Sequence, residues 1–357
     1  MSDWEASNAL IIEIVRGKVV ESRHFVSLAA VDSQKRLRLA FGDMVDPVYM
    51  RSSAKPFQAL PLVEKKIDLQ HNLSTRQLAL ICASHAGTDE HAEVASSILN
   101  IAGLSETSLR CGTHTPYDQS TAKRLLKQGE SLSALRHNCS GKHAGMLLLA
   151  QALNQDPETY LDPHHRVQAE ILQAFSAMVD IKEADVELGT DGCSAPNFAI
   201  PLPAAALGYA CLMDPSSLDA SRAEACRRIT HAMLSNPDIV AGIGEFDTEL
   251  MQAADGNILS KGGAEGYQAL GISSANWPGD GAAGIVLKVQ DGDGSKRARS
   301  VVCMALLRVL NLITPEAQER LARFDQRALN NFRQIEVGQI RMARESLDRL
   351  QEAYERI

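Results

Sequence analysis

Four short segments of this 357-residue chain hold the residue types that do chemistry. The first is Arg51-Ser52-Ser53-Ala54-Lys55-Pro56. A serine hydroxyl is a weak nucleophile until a base comes within hydrogen-bond reach. A lysine three positions on shares a helical face with Ser52, and burial weakens a lysine's hold on its proton. Pro56 and Pro61 put the helix start near Ser52, where backbone N–H groups and the positive helix end favour an oxyanion. The plainer reading is a capping serine followed by a lysine reaching to solvent. The second segment is Cys82-Ala83-Ser84-His85-Ala86-Gly87. Adjacent side chains rarely point the same way, so Ser84 and His85 are not expected to form a dyad. The competing reading is a turn between helices. The third segment is Lys261-Gly262-Gly263-Ala264-Glu265-Gly266, a lysine at a strand end followed by glycines that let the backbone approach a ligand.

The fourth is a pair of small-residue turns, His137-Asn138-Cys139-Ser140-Gly141-Lys142-His143 and Asp191-Gly192-Cys193-Ser194-Ala195-Pro196. Two thiolates from separate turns and a nearby nitrogen donor suit zinc. Spacing alone selects His143 as that nitrogen, four residues after Cys139, while two buried free cysteines is the alternative. Gly112-Thr113-His114-Thr115-Pro116 adds a turn whose His114 is either pocket-lining or a satisfied loop histidine. Ser-x-x-Lys, then a second serine, then Lys-x-Gly is the order found in penicillin-recognising enzymes, without the Ser-Asp-Asn form of the middle element. No phosphate-binding loop or dinucleotide fingerprint is present.

Positioning these segments falls to strands at the chain ends and helices between them. Leu10–Val15, Lys18–Glu21, His24–Val31 and Arg36–Phe41 read as a strand meander. The middle is rich in Ala and Leu. Helices are expected over Phe57–Lys66 (in two pieces about Pro61), Thr75–Ala83, Asp89–Ile101, Thr121–Gln128, His143–Leu153 and Pro163–Met178. Further helices read at Ala204–Leu212, Leu218–Leu234 and Ser300–Leu312. Short strands read at Asn257–Ser260, Gly266–Ile272 and Gly284–Val289, with Val337–Met342 as an edge strand. The fold class is therefore α+β, with both termini in one sheet and the helices packed beside it. Residues 1–357 make one catalytic domain, or two subdomains comprising the sheet-forming ends and a helical middle of about 52–235.

Composition sets outer limits. Apolar residues form 45% of the chain, enough for a large core. The net charge of −8 lacks the basic footprint of a nucleic-acid binder. No run approaches the ~18 apolar residues of a membrane span. Ala9–Val15 is interrupted by Glu13 and preceded by no basic region, so it reads as a strand rather than a signal peptide, and a cytoplasmic location is expected. Seven cysteines, an odd number, argue against a disulfide framework.

In order and content, these segments together resemble the rhizobial-type (Rhizobium etli-like) L-asparaginases. The match rests on Arg51–Pro56, Ala83–Thr88, Cys111–His114, His137–His143, Asp191–Pro196 and Lys261–Gly266. The resemblance implies a fold related to serine β-lactamases and serine glutaminases, in a homodimer. It implies two Ser-Lys tandems, Ser52 with Lys55 and Ser84 with Lys261. It implies zinc held by Cys139, Lys142 and Cys193, with Lys142 replacing His143 as the nitrogen ligand. Arg51, His114, Asp191 and Gly262 become substrate-binding candidates, with Asp191 and His143 supporting the metal ligands. The reaction implied is hydrolysis of L-asparagine to aspartate and ammonia, with no nucleic-acid or membrane partner. A penicillin-recognising hydrolase or serine glutaminase is the alternative, and a zinc-stabilised amino-acid-binding protein is the non-enzymatic one. Because a dyad acts as a unit, Ser52→Ala and Lys55→Ala should each abolish turnover, and the double variant should be little worse than either. Steady-state ammonia release checks this, and near-normal kcat in Ser52→Ala would move the nucleophile to Ser53 or Ser84.

Overall fold

A computed structural model describes residues 8–294 and 296–357, and the fold is α+β. The chain divides into two compact units. The first holds the chain up to Met50 together with Ile200–Asp214 and Glu249–Ile357. The second holds Arg51–Ala199 and Pro215–Thr248. The strands in chain order are β1 (Leu10–Arg16), β2 (Val19–Asp32), β3 (Leu37–Phe41), β4 (Val48–Tyr49), β5 (Glu187–Thr190), β6 (Pro196–Ile200), β7 (Ile258–Gly262), β8 (Tyr267–Ile272), β9 (Ala283–Val289), β10 (Arg327–Asn330) and β11 (Glu336–Met342).

The first unit is built on an eight-stranded sheet of order β10-β11-β1-β2-β9-β8-β7, with β3 also paired to β2. The pairings are antiparallel, and β1 joins β11 by the register Ile14↔Ile340, so the two chain ends share the sheet. Leu10, Ile12 and Ile14 alternate into the core, as a strand with one buried face requires. The Leu202–Met213 helix packs on β2, β8 and β9. That approach is close because Gly284 has no side chain: a Cβ there would lie 1.8 Å from the Ala206 carbonyl oxygen.

Three expectations change. Lys18–Glu21 and His24–Val31 are one strand, β2, because the alternation of exposure runs unbroken through Ser22 and Arg23. The irregularity there is a bulge, with the register slipping between Ile14 and Val15. Pro61 does not divide its helix, which runs from Lys55 to Glu64; burial of nearly every residue outweighs the one lost hydrogen bond. The strand at 336–342 is not an edge, because β10 folds back and covers it. The short, half-exposed β10 carries little hydrophobic signal of its own.

The second unit is helical, with the β5–β6 hairpin. Its Lys55–Glu64 helix packs against Ser140–Ala152, Arg166–Val179 and Ala220–Ser235. Gly141 and Gly145 let the Ser140–Ala152 helix lie directly on Thr75–Ile81: a Cβ on Gly141 would sit 2.1 Å from the Leu80 carbonyl oxygen. All seven cysteines are buried and none is in a disulfide. No helix among the described residues is long and apolar enough to cross a membrane.

Gly284→Ala should destabilise by about 3 kcal/mol or more, since the backbone itself must move. Gly256→Ala, at φ +78° with open space around it, should cost only ~1 kcal/mol of backbone strain. Urea midpoints of the two variants test this ordering, and equal shifts would contradict it.

Candidate functional site

Most of the chemistry-bearing side chains lie in the helical unit. Arg51–Ala54 forms a turn of 3₁₀ helix that feeds the Lys55–Glu64 helix, so half-buried Ser52 stands one turn before Lys55. Lys55 is buried, and its Nζ donates to the Ala83 carbonyl at 2.6 Å and to the Asn138 carbonyl at 3.3 Å. It therefore lies against the residue that precedes Ser84. Residues 83–88 form neither helix nor strand. Ser84 is fixed by its N–H to the Val240 carbonyl at 2.9 Å, and its Oγ accepts from Asn138 Nδ2 at 2.9 Å.

Ser84 and His85 do not pair. His85 Nδ1 accepts the Gly87 N–H at 3.2 Å, so Nε2 carries the proton and donates to Ser140 Oγ at 2.9 Å. Ser140 passes its own proton to the Leu135 carbonyl. The ring stacks on His91, and burial holds it neutral, well below the usual histidine range. This buried Ser–His pair is satisfied and structural.

Cys139 caps the Ser140–Ala152 helix, with Lys142 one turn on. Lys142 Nζ donates to Cys193 Sγ at 3.0 Å. A hydrogen bond from Cys139, then the Lys142 ammonium and His143, hold the Cys193 thiol far below its usual range. The same bond, with burial, pushes Cys139 well above its own. Burial works against the Lys142 charge, but Cys193, Cys139 and Asp191 outweigh it and keep the ammonium protonated. The resting cluster is thus an ammonium, one thiolate and one thiol.

These groups fit zinc. Sulfur and oxygen atoms of Cys139, Cys193 and Asp191 lie within 4.8 Å of one another. Donors around a tetrahedral ion with ~2.3 Å zinc–sulfur bonds stand roughly 3.5–3.8 Å apart. His143 stands beside the cluster. Its Nδ1 lies 2.6 Å from Tyr160 Oη, which accepts the Arg110 N–H at 3.0 Å. With the phenol donating to Nδ1 the imidazole proton sits on the buried Nε2, and with the opposite tautomer Nε2 offers a lone pair.

Asp191 links the two halves. One carboxylate oxygen accepts from Arg51 Nε at 2.7 Å, and the other lies 3.6 Å from Cys193 Sγ. Arg51 is held at φ +52°, with its N–H on Asn197 Oδ1 at 3.1 Å, directly before Ser52. His114 Nδ1 donates to the Thr115 carbonyl at 2.7 Å, while Nε2 accepts the Asn138 N–H at 3.0 Å. Cys111 is inert, its thiol pushed up to about 12 by burial. Lys261 and Gly262 belong to the sheet unit. Lys261 is fully buried near the end of edge strand β7, and its Nζ donates to the Gly262 carbonyl at 2.8 Å. Sequence reading missed the roles of Asn138, Tyr160 and Ser140. Asn138 was visible inside its motif, whereas nothing in the spacing joins Tyr160 to His143.

The family model described as L-asparaginase II matches residues 12–342. The chain belongs to the L-asparaginase II family. Membership makes it an amidohydrolase. No curated protein sequence matches it. Among solved structures it is similar to a probable glutaminase from Bacillus subtilis complexed with 6-diazo-5-oxo-L-norleucine, at 13% identity, 75% of this chain, 78% of that one and a TM-score of 0.36. It is also similar to the native form of Mglu, at 14% identity, 82% and 66% coverage and a TM-score of 0.42. The family assignment rests on the family model.

The tautomer of His143 is open to direct observation. Long-range ¹H–¹⁵N correlation spectra should show this asparaginase-family chain with His143 protonated on Nε2. A pattern of Nδ1 protonation would contradict donation by the Tyr160 phenol.

Proposed function

We propose that the protein is an L-asparaginase, releasing ammonia and L-aspartate from L-asparagine through a serine ester. The observation that carries this reading is buried Lys55, whose Nζ meets the Ala83 carbonyl at 2.6 Å, between the Ser52 turn and the Ser84 segment. Ser52 attacks the carboxamide carbon and Lys55, as its free amine, takes the hydroxyl proton. The proton passes to the departing nitrogen, ammonia leaves, and water then hydrolyses the ester. Ser84 relays protons with Lys261. Arg51, Asp191, His114 and Gly262 hold the substrate's charged ends and carbonyl. The resemblance to the rhizobial-type L-asparaginases also implies a homodimer.

Cys139, Lys142 and Cys193 would hold a zinc ion, which would act as a Lewis acid orienting the substrate's polar end. Asp191 and His143 would keep those ligands aligned. Two thiolates leave such an ion little charge to acidify water, so the serine remains the nucleophile.

Two experiments test the reading. Ammonia release from asparagine should exceed that from glutamine by roughly ten- to 200-fold, the reach of one methylene in a fitted pocket. It should be lost in Ser84→Ala and Lys261→Ala. Equal turnover of both amides, hydrolysis of a chromogenic β-lactam alone, or a harmless Lys261→Ala would contradict it. Zinc uptake by the metal-free protein should release about two protons, from the Cys139 thiol and the Lys142 ammonium. Affinity should therefore fall as pH falls, since protons compete for both ligands. Calorimetry in buffers of different ionisation enthalpy measures the count, and zinc retained in Cys193→Ser would place the site elsewhere.

A further inference from the structure

Asn138 has every polar atom placed on the site. Its backbone N–H goes to His114 Nε2 at 3.0 Å. Its carbonyl accepts the His85 N–H at 3.3 Å and Lys55 Nζ at 3.3 Å. The next residue, Cys139, is tied back by its own N–H to His137 Nδ1 at 3.0 Å. Three anchors on the backbone leave the side chain on a fixed stem. From it, Nδ2 donates to Ser84 Oγ at 2.9 Å, while Oδ1 lies 3.1 Å from His114 Nε2 and 3.6 Å from Cys139 Sγ.

We propose that Asn138 is the positioning residue of Ser84. Its carboxamide, carried on that fixed stem, sets the rotamer of the Ser84 hydroxyl and turns the hydroxyl proton away from itself. Without that donor the hydroxyl turns among three staggered wells, and the fraction aimed to pass a proton falls. An amide suits the task because it neither gains nor loses a proton near neutral pH. It therefore holds a proton-relaying hydroxyl without competing for the proton. Asn138 touches neither the bond being broken nor the metal, and acts only through Ser84. The proposal rests on the reading of Ser84 as part of the amidohydrolase machinery.

The test uses the full, zinc-supplemented chain as wild type, Asn138→Ala and Asn138→Asp. Asn138→Asp keeps the shape and removes the donor, so it separates donation from packing. Two rates are measured: ammonia release from asparagine and glutamine, and phosphorylation of serine by diisopropyl fluorophosphate with loss of fluoride, the labelled residue being mapped by mass spectrometry. Both variants should lose kcat on the order of ten- to hundredfold, with KM within about threefold of wild type. Both should lose labelling rate in proportion, with melting temperature and zinc content unchanged. Wild-type kcat in Asn138→Asp overturns the proposal. So does a loss confined to KM, or failure of both variants to fold, since the residue would then bind substrate or serve only the fold. A wild type that takes the label but releases no ammonia overturns the asparaginase reading alone, and the labelling rates of the variants still decide Asn138. A wild type that takes no label overturns the positioning role.

Discussion

A buried lysine is tolerated only where its charge is paired or its proton is given up, and the helical unit buries two, Lys55 and Lys142. Each is answered differently. Lys55 is met by two backbone carbonyls, which hold its direction without supplying a full counter-charge. Lys142 is met by the Cys193 sulfur, itself drawn towards the thiolate by Cys139 and His143. Much of the surrounding structure serves these two solutions. Gly141 brings the Ser140–Ala152 helix onto its neighbour, the Arg51–Ala54 turn delivers Lys55 inward, and the tight turn at 191–195 presents Cys193.

The segment from His137 to His143 connects the two lysines. Asn138 gives its carbonyl to Lys55 and its carboxamide to Ser84. Cys139 begins the helix, Ser140 receives His85, and His143 leans on Tyr160. A single turn thus fixes the serine side and the thiol side of the site together. Asp191 forms a second link, spanning Arg51 and Cys193. The proposed division of labour follows from this geometry. Groups on the serine side move protons, and groups on the thiol side hold charge and orientation.

Much of this was legible in sequence because the decisive signals are local. Strand patterns at both chain ends predict the shared sheet, and the small-residue turns around Cys139 and Cys193 mark their own importance. Errors came where a tertiary partner decides. The break expected after Glu21 is a bulge in one long strand, because its partner β1 carries the pairing through. Pro61 stays inside its helix because three neighbouring helices pack on it. His143 sits at the right spacing for a ligand, and its Nδ1 is engaged by a tyrosine 17 residues away. No pattern within the motif could reveal that.

The proposed metal centre takes one nitrogen and two sulfurs from this cradle, from Lys142, Cys139 and Cys193. Zinc-edge X-ray absorption on the metal-loaded protein tests it most directly. The account predicts two sulfur neighbours at about 2.3 Å and light-atom neighbours at about 2.0–2.1 Å, without the multiple scattering of an imidazole ring. An imidazole signature, or a shell without sulfur, would contradict it.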